Sequence, residues 1–462
     1  MLQTREGRRT AVVRDEPTRK PRANVTSTWT EPVSASTYPN DEDVTGERMT
    51  ALHPTRRAGA RWMTLFTLAW LAIWTVQLTP VQLLLPLQLD TADDDWIRGV
   101  VSSGFVLGIG GLAGVIAGPA AGALSDRSRG ARGRRRPWAL LGVWVAAICL
   151  ALTGGAEGPW LVGACWVGVS VGIAVASAAF TALIADQLPA AQRGAASSVI
   201  SSSQAVGIVV GVGLVVLLGL GVTAGYLLLA GIIAVIGTTA ALLLPDPPAT
   251  AAEVPERTAR RPRLASLRDR DFAWMLGGRL VANVGNALGT ALFLFFLLHG
   301  LGQPNAQAQD NLLLLIIVYT VFVVLASVLV GLISDRTGRR RGLTVLATLV
   351  QALSGVAIVL VPTFEMTMVA AALMGVGYGA FSTAGLAFAT DLLPDERDHA
   401  RDLGIVNVTA ALGQLIGPVL GALFVAMVGG FWLVFVMAAI LSVAGGLMTA
   451  RARQPVPAAA PR

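Results

Sequence analysis

From Trp62 onward the chain alternates long apolar stretches with short polar breaks, at about 62–88, 97–122, 138–156, 160–185, 197–219, 222–244, 272–298, 311–333, 343–361, 366–390, 403–429 and 431–449. Each is close to or above the roughly 20 residues that a helix needs to cross a hydrocarbon core. Lipid offers no water to backbone N–H and C=O groups, so such stretches must satisfy their own hydrogen bonds as helices, and barrel-type alternation is absent. Charged residues make up only 14% of the chain, against about 25% in a soluble domain. The 51 glycines suit helices that pack closely in a membrane. The pattern excludes an ordinary soluble fold and predicts an all-α polytopic membrane protein with twelve transmembrane helices.

Net charge is +7, which would fit nucleic-acid binding if the basic residues formed one patch. They do not. Lys and Arg concentrate in the stretch before Trp62 and in alternate breaks between spans, leaving Arg98 near the other face. That asymmetry follows the positive-inside rule, predicts both termini in the cytoplasm of a cell-membrane protein, and removes nucleic acid as a partner. The organisation expected is a disordered cytoplasmic tail (1–61), six spans (62–244), a cytoplasmic linker (245–271), six more spans (272–449) and a second tail (450–462). Cys149 and Cys165 lie in apolar stretches and the three histidines have no ligand spacing, so no metal and no cofactor is expected. No GxSxG, HExxH or phosphate-loop pattern occurs, so the chain does not read as an enzyme.

The linker divides the spans six and six, and the two sets repeat. Gly122-Ala-Leu-Ser-Asp126-Arg127 recurs as Gly331-Leu-Ile-Ser-Asp335-Arg336, offset by 209. Asp186-Gln-Leu-Pro189 with Arg193 recurs as Asp391-Leu-Leu-Pro394 with Arg397, and Gly207 and Gly211 recur as Gly413 and Gly417. Nearly constant offsets predict two pseudo-symmetric six-helix halves.

With these loops the sequence resembles the major facilitator superfamily of transporters, through Asp126-Arg127 followed by Arg134-Arg135-Arg136 and the copy ending Arg339-Arg340-Arg341. The string from Gly118-Pro119 to Pro137-Trp138 is similar to the sucrose-type and glycoside–pentoside–hexuronide branch of sugar–cation symporters. The resemblance implies the major facilitator fold, alternating access, a monomer in the lipid bilayer, and a substrate held midway between spans 1, 4, 7 and 10. It also implies a gating role for Gly122, Asp126, Arg127, Gly331, Asp335 and Arg336, with Asp186, Arg193, Asp391 and Arg397 as latch partners.

Polar and aromatic residues on the four cavity spans are Trp74, Gln77 and Gln82, then Ser177 and Thr181, then Asn283, Asn286 and Thr290, and lastly Tyr378, Ser382 and Thr383. Gln77 and Asn283 differ by 206 and so face one cavity from equivalent positions. Amides donate to and accept from hydroxyls, and aromatic faces stack on a sugar ring. An uncharged, amide-rich cavity favours a neutral polar solute, and the resemblance to cation symporters implies proton coupling; proton-linked export of drugs or amphipathic metabolites is the alternative. No carboxylate lies in the middle of a span, where a coupling site would ordinarily sit.

Overall fold

The computed structural model describes residues 58–90, 95–128, 133–246, 269–392 and 399–454. The expected tail up to residue 57, most of the linker, Arg397 and the end of the second tail lie outside them. Among the described residues every regular element is helical, and twelve helices are long and apolar enough to cross a membrane. They are α1 (Ala60–Leu89), α2 (Trp96–Arg127), α3 (Arg136–Gly154), α4 (Pro159–Gln187), α5 (Ala190–Leu217), α6 (Val222–Leu243), α7 (Arg270–Gly300), α8 (Asn305–Thr337), α9 (Arg340–Leu360), α10 (Phe364–Asp391), α11 (His399–Val428) and α12 (Trp432–Arg451).

Two helices outrun the apolar stretches that predicted them. With no breaker after Gly122 or Gly331, α2 continues to Arg127 and α8 to Thr337, where Gly338 at φ 63 closes the helix. Asp126 and Asp335 therefore belong to last helical turns rather than to connecting loops. Three other helices are interrupted by π turns, α6 in mid-helix over Ile233–Gly237 and two near their far ends. In α1 a π turn spans Pro80–Leu84, beginning at a residue that cannot donate to the helical ladder. In α7 the backbone breaks at Leu292 and continues as a π turn over Phe296–Gly300.

Glycines set how closely the helices approach. Gly207 and Gly211 of α5 lie on α1, where a Cβ on Gly207 would stand 3.0 Å from the Thr75 backbone nitrogen. Their counterparts Gly413 and Gly417 of α11 lie on α7, where a Cβ would stand 2.8 Å from Asn283 Cβ and 2.6 Å from Ala287 Cβ. The two sets of six thus use the same seam twice.

Contact between the sets is uneven along the membrane normal. On α2, a Cβ on Gly104 would overlap Ala422 of α11, one on Gly108 would come within 2.6 Å of Val419, and one on Gly111 within 3.0 Å of Leu415. Further along α2, Gly118 and Gly122 have nothing within 4 Å of a Cβ. On the α5–α8 side, Gly213 approaches Leu313 near the same end as Gly104. The sets are therefore closed at the end away from the Asp-Arg motifs and parted toward the end that carries them.

Candidate functional site

At the motif end of the first set, Arg135 is the hub. Its side chain is 6% exposed and reaches Asp126 at 2.7 Å, Asp186 at 2.9 Å and Ser125 Oγ at 2.6 Å. Burial works against the charge, but the two carboxylates prevail and hold the guanidinium above the ordinary arginine pKa. Arg134 adds a second bond to Asp126 at 2.8 Å. The backbone N–H groups of Arg135 and Arg136 both donate to Asp246, at 2.7 Å each, beyond the end of α6. Gly133 at φ 101 makes that approach possible, since a Cβ there would collide with Asp246. Arg136 donates to the carbonyls of Ala241 and Leu242 and caps α6.

The second set repeats part of this. Arg340 binds Asp391 and the Ala387 carbonyl, so Arg340–Asp391 stands 205 residues after Arg135–Asp186. Arg341 donates to the Ala452 carbonyl at the end of α12. Asp335 is exposed and, among the described residues, makes no ion pair; the same holds for Arg127 and Arg336. Arg193 does not meet Asp186. Its Nε and Nη2 donate to the Leu188 and Ala185 carbonyls and close the end of α4.

At the opposite end a cluster spans the two sets. Asp90, after α1, and His299, near the end of α7, are 2.9 Å apart. Trp96 of α2 lies against both the His299 ring (5.0 Å) and Phe431 (5.3 Å). Asp90 and His299 were overlooked in the sequence, although their offset of 209 equals that of the Asp-Arg motifs.

Between the two ends, the polar residues fall into groups. Gln77 and Gln82 of α1 and Ser177 of α4 are half-buried, Thr181 is exposed, and none of them bonds within the described residues. Trp74, half-buried, ends a ladder with Trp62, Phe66 and Trp70 along α1, and its Nε1 has no partner. Asn283 is 5% exposed and turns to Thr409 Oγ1 at 3.5 Å, in the α7–α11 seam. Its amide is therefore directed into helix packing, and it is not the open counterpart of Gln77 that the repeat suggested. Ser382 and Thr290 bond back to their own helices. Gly331 meets the Thr383 methyl at 3.4 Å from a Cβ position.

Arg279 stands apart from the other arginines, which, Arg98 excepted, gather at the motif end. Because α7 begins at Arg270, Arg279 lies nine residues in, about 13 Å at 1.5 Å per residue. It is 8% exposed, has no ion pair among the described residues, and its Nε and Nη1 are buried without a hydrogen-bond partner. Its Cζ sits 5.4 Å from the Phe381 ring centroid. An unpaired buried charge costs several kcal/mol, and a cation over an aromatic face returns about 0.5–2 kcal/mol. Two turns along α7, Asn286 is 4% exposed, lies beside Tyr319 of α8, and has an unpartnered Oδ1. Tyr319 and Tyr378 are stacked with centroids 6.4 Å apart. The interior of the second set thus holds an amide and two phenols, and it is not uncharged.

The Major Facilitator Superfamily model matches residues 10–212, 130–309 and 305–462. Among curated proteins, the chain is 28% identical over 147 residues to multidrug resistance protein Stp of Mycobacterium tuberculosis, covering 30% of this chain and 27% of that protein. It is 34% identical over 145 residues to an uncharacterised MFS-type transporter of the same species, covering 30% of this chain and 20% of that one. The chain therefore aligns with about a quarter of these relatives' length. Among solved structures, nucleoside transporter NupG superposes with TM-score 0.67 at 14% identity, covering 84% of this chain and 97% of that one. A bacterial homologue of the human lysosomal transporter Spinster, in an inward-facing and unoccupied conformation, gives 0.65 at 18%, covering 87% and 100%. At such identities the likeness is one of fold.

Proposed function

Because this chain belongs to the Major Facilitator Superfamily of membrane transporters, we propose that it carries a small polar solute, of the sugar type, across the cell membrane by alternating access. The Arg-rich motif end is taken as cytoplasmic under the positive-inside rule, which puts both termini inside and makes the present arrangement inward-facing. One observation carries the reading: the α2–α11 seam is closed at Gly104 and open at Gly118 and Gly122. A channel or a rigid anchor has no need of a seam closed at one end only, whereas two sets that rock about a central site do.

The site lies between Trp74, Gln77 and Gln82 of α1, Ser177 and Thr181 of α4, Asn286 of α7, and Tyr378 and Ser382 of α10. Asp126, Asp186, Arg135 and the Arg340–Asp391 pair form the cytoplasmic gate, and the Asp90–His299 pair joins the two sets at the outer closure. Stp is a multidrug resistance protein by name, and the partly open indole of Trp74 would serve an amphipathic cargo, so drug export is the second reading.

Reconstituted proteoliposomes separate the two. Counterflow of labelled sucrose or maltose, lost in Gln77→Ala and Asn286→Ala, is the expected result. Sugar counterflow that survives in both variants, or efflux of a cationic dye with no sugar counterflow at all, refutes the sugar reading.

A further inference from the structure

The geometry points to Arg279 as the binding group for an oxyanion, a carboxylate or a phosphate monoester, carried by the transported solute. This rests on the transport reading above and adds the charge of the cargo to it. Arg279 stands in a membrane-spanning helix, 8% exposed, with Nε and Nη1 lacking any partner. Charged side chains at such depth ordinarily pair with one another or serve a substrate or ion path. Among the described residues no acidic side chain pairs with it from a neighbouring helix.

The groups that do approach are suited to framing a ligand rather than neutralising the charge. The Phe381 ring lies 5.4 Å beneath the guanidinium carbon. Gly385 sits so near that a Cβ there would stand 3.0 Å from Nη1 and 3.3 Å from the Thr344 methyl. Tyr378, three residues before Phe381 on α10, stacks on Tyr319, which adjoins Asn286 with its free Oδ1. The cation would take the oxyanion in a charge-assisted fork, while the amide and phenols take hydroxyls farther along the same solute.

Matched pairs test this: gluconate against sorbitol, and glucose 6-phosphate against glucose, at constant ionic strength. Binding is read by the shift in unfolding temperature of the detergent-solubilised protein, and transport by counterflow in proteoliposomes. In the wild type, at least one anionic member stabilises the protein while its neutral twin does not, and whichever pair responds tells carboxylate from phosphate. Arg279→Gln weakens the apparent affinity for that anion at least tenfold, and Arg279→Lys, which keeps the charge but not the fork, retains part of it.

Equal response to neutral and anionic twins, no response to either anion, or an anion preference that survives in Arg279→Gln overturns the inference. Should Arg279→Gln fail to fold, the wild-type pairs still decide. Counterflow of neutral members without anion preference sinks the Arg279 site and leaves the transport reading intact; binding without counterflow of any member sinks the transport reading instead.

Discussion

Arg135 and Asn286 differ from their neighbours Arg134 and Asn283 by small changes of environment that decide what each can do. Arg135 is enclosed and holds two carboxylates, whereas Arg134 is 23% exposed and holds one. Removing the enclosed partner strands Asp186 and loosens Asp126, which is 56% exposed and so recovers much of its solvation. Arg135→Ala is therefore expected to cost about 1–2 kcal/mol, between a surface pair and a buried one, and Arg134→Ala under about 1 kcal/mol. Thermal unfolding of the two purified variants checks the order. The two asparagines make the opposite contrast. Asn283→Ala loses one long bond to Thr409 in a helix seam, so it should leave counterflow within about threefold and lower stability by about 0.5–1.5 kcal/mol. Asn286→Ala removes a free acceptor beside Tyr319 and should cut counterflow about tenfold, the equivalent of about 1.4 kcal/mol, with little loss of stability. The reverse ranking would place the cargo on the α11 side of α7. Residue identity was readable in the sequence at all four positions; orientation was not, because 60° of helix rotation separates an amide in a seam from one in the site, and periodicity does not resolve that angle in a helix apolar all round.

Among the elements, α2 is the one on whose glycine stripe the proposed alternating access depends most. Glycines recur every three or four residues along it, at 104, 108, 111, 114, 118 and 122, and that spacing alone does not show which part is in contact. Gly104 and Gly108 are pressed against α11, whereas Gly118 and Gly122 face open space. A bulky residue therefore acts oppositely at the two ends. Gly104→Val overfills the closed part of the seam, at about 1–3 kcal/mol, and should drive the protein away from the present state. Gly118→Val is free of clash here and meets α11 only when the motif end closes, so it should hold the protein in the present state. Spin labels at Trp160→Cys and Leu360→Cys, both exposed and at the end away from the motifs, in a background without Cys149 and Cys165, read the outcome. The distance distribution is expected to lengthen for Gly104→Val and to keep only its short component for Gly118→Val; a shift of the same sign in both would mean that this stripe does not slide. Helix count and the recurrence of the glycines on α5 and α11 are local properties legible in the chain, whereas their seating on α1 and α7 is a packing outcome that spacing does not specify. The π turns are marked in the sequence only in α1, by Pro80; nothing comparable marks Ile233–Gly237 of α6 or Phe296–Gly300 of α7.

At the scale of the whole molecule, closure at the end away from the motifs combines the packed α2–α11 seam with one polar bridge, and the proposed cycle needs that bridge to be breakable. The Asp90–His299 bridge joins equivalent positions of the two sets across the axis that relates them, and the Trp96 ring covers it by lying on His299 and Phe431. Both partners are partly exposed, at 16% and 21%, so the bridge is worth about 1 kcal/mol rather than the several of a dry ion pair. That is enough to change a two-state ratio about fivefold and too little to lock it. Asp90→Asn should therefore lengthen the mean Trp160–Leu360 label distance by moving population to the state open at this end. Trp96→Ala, which uncovers the pair and removes two ring contacts, should do so further, and the double variant should exceed Asp90→Asn by less than the single Trp96→Ala effect because the two act on one cluster. Strict additivity, or no change in either single variant, would shift the burden of closure to the α2–α11 seam alone.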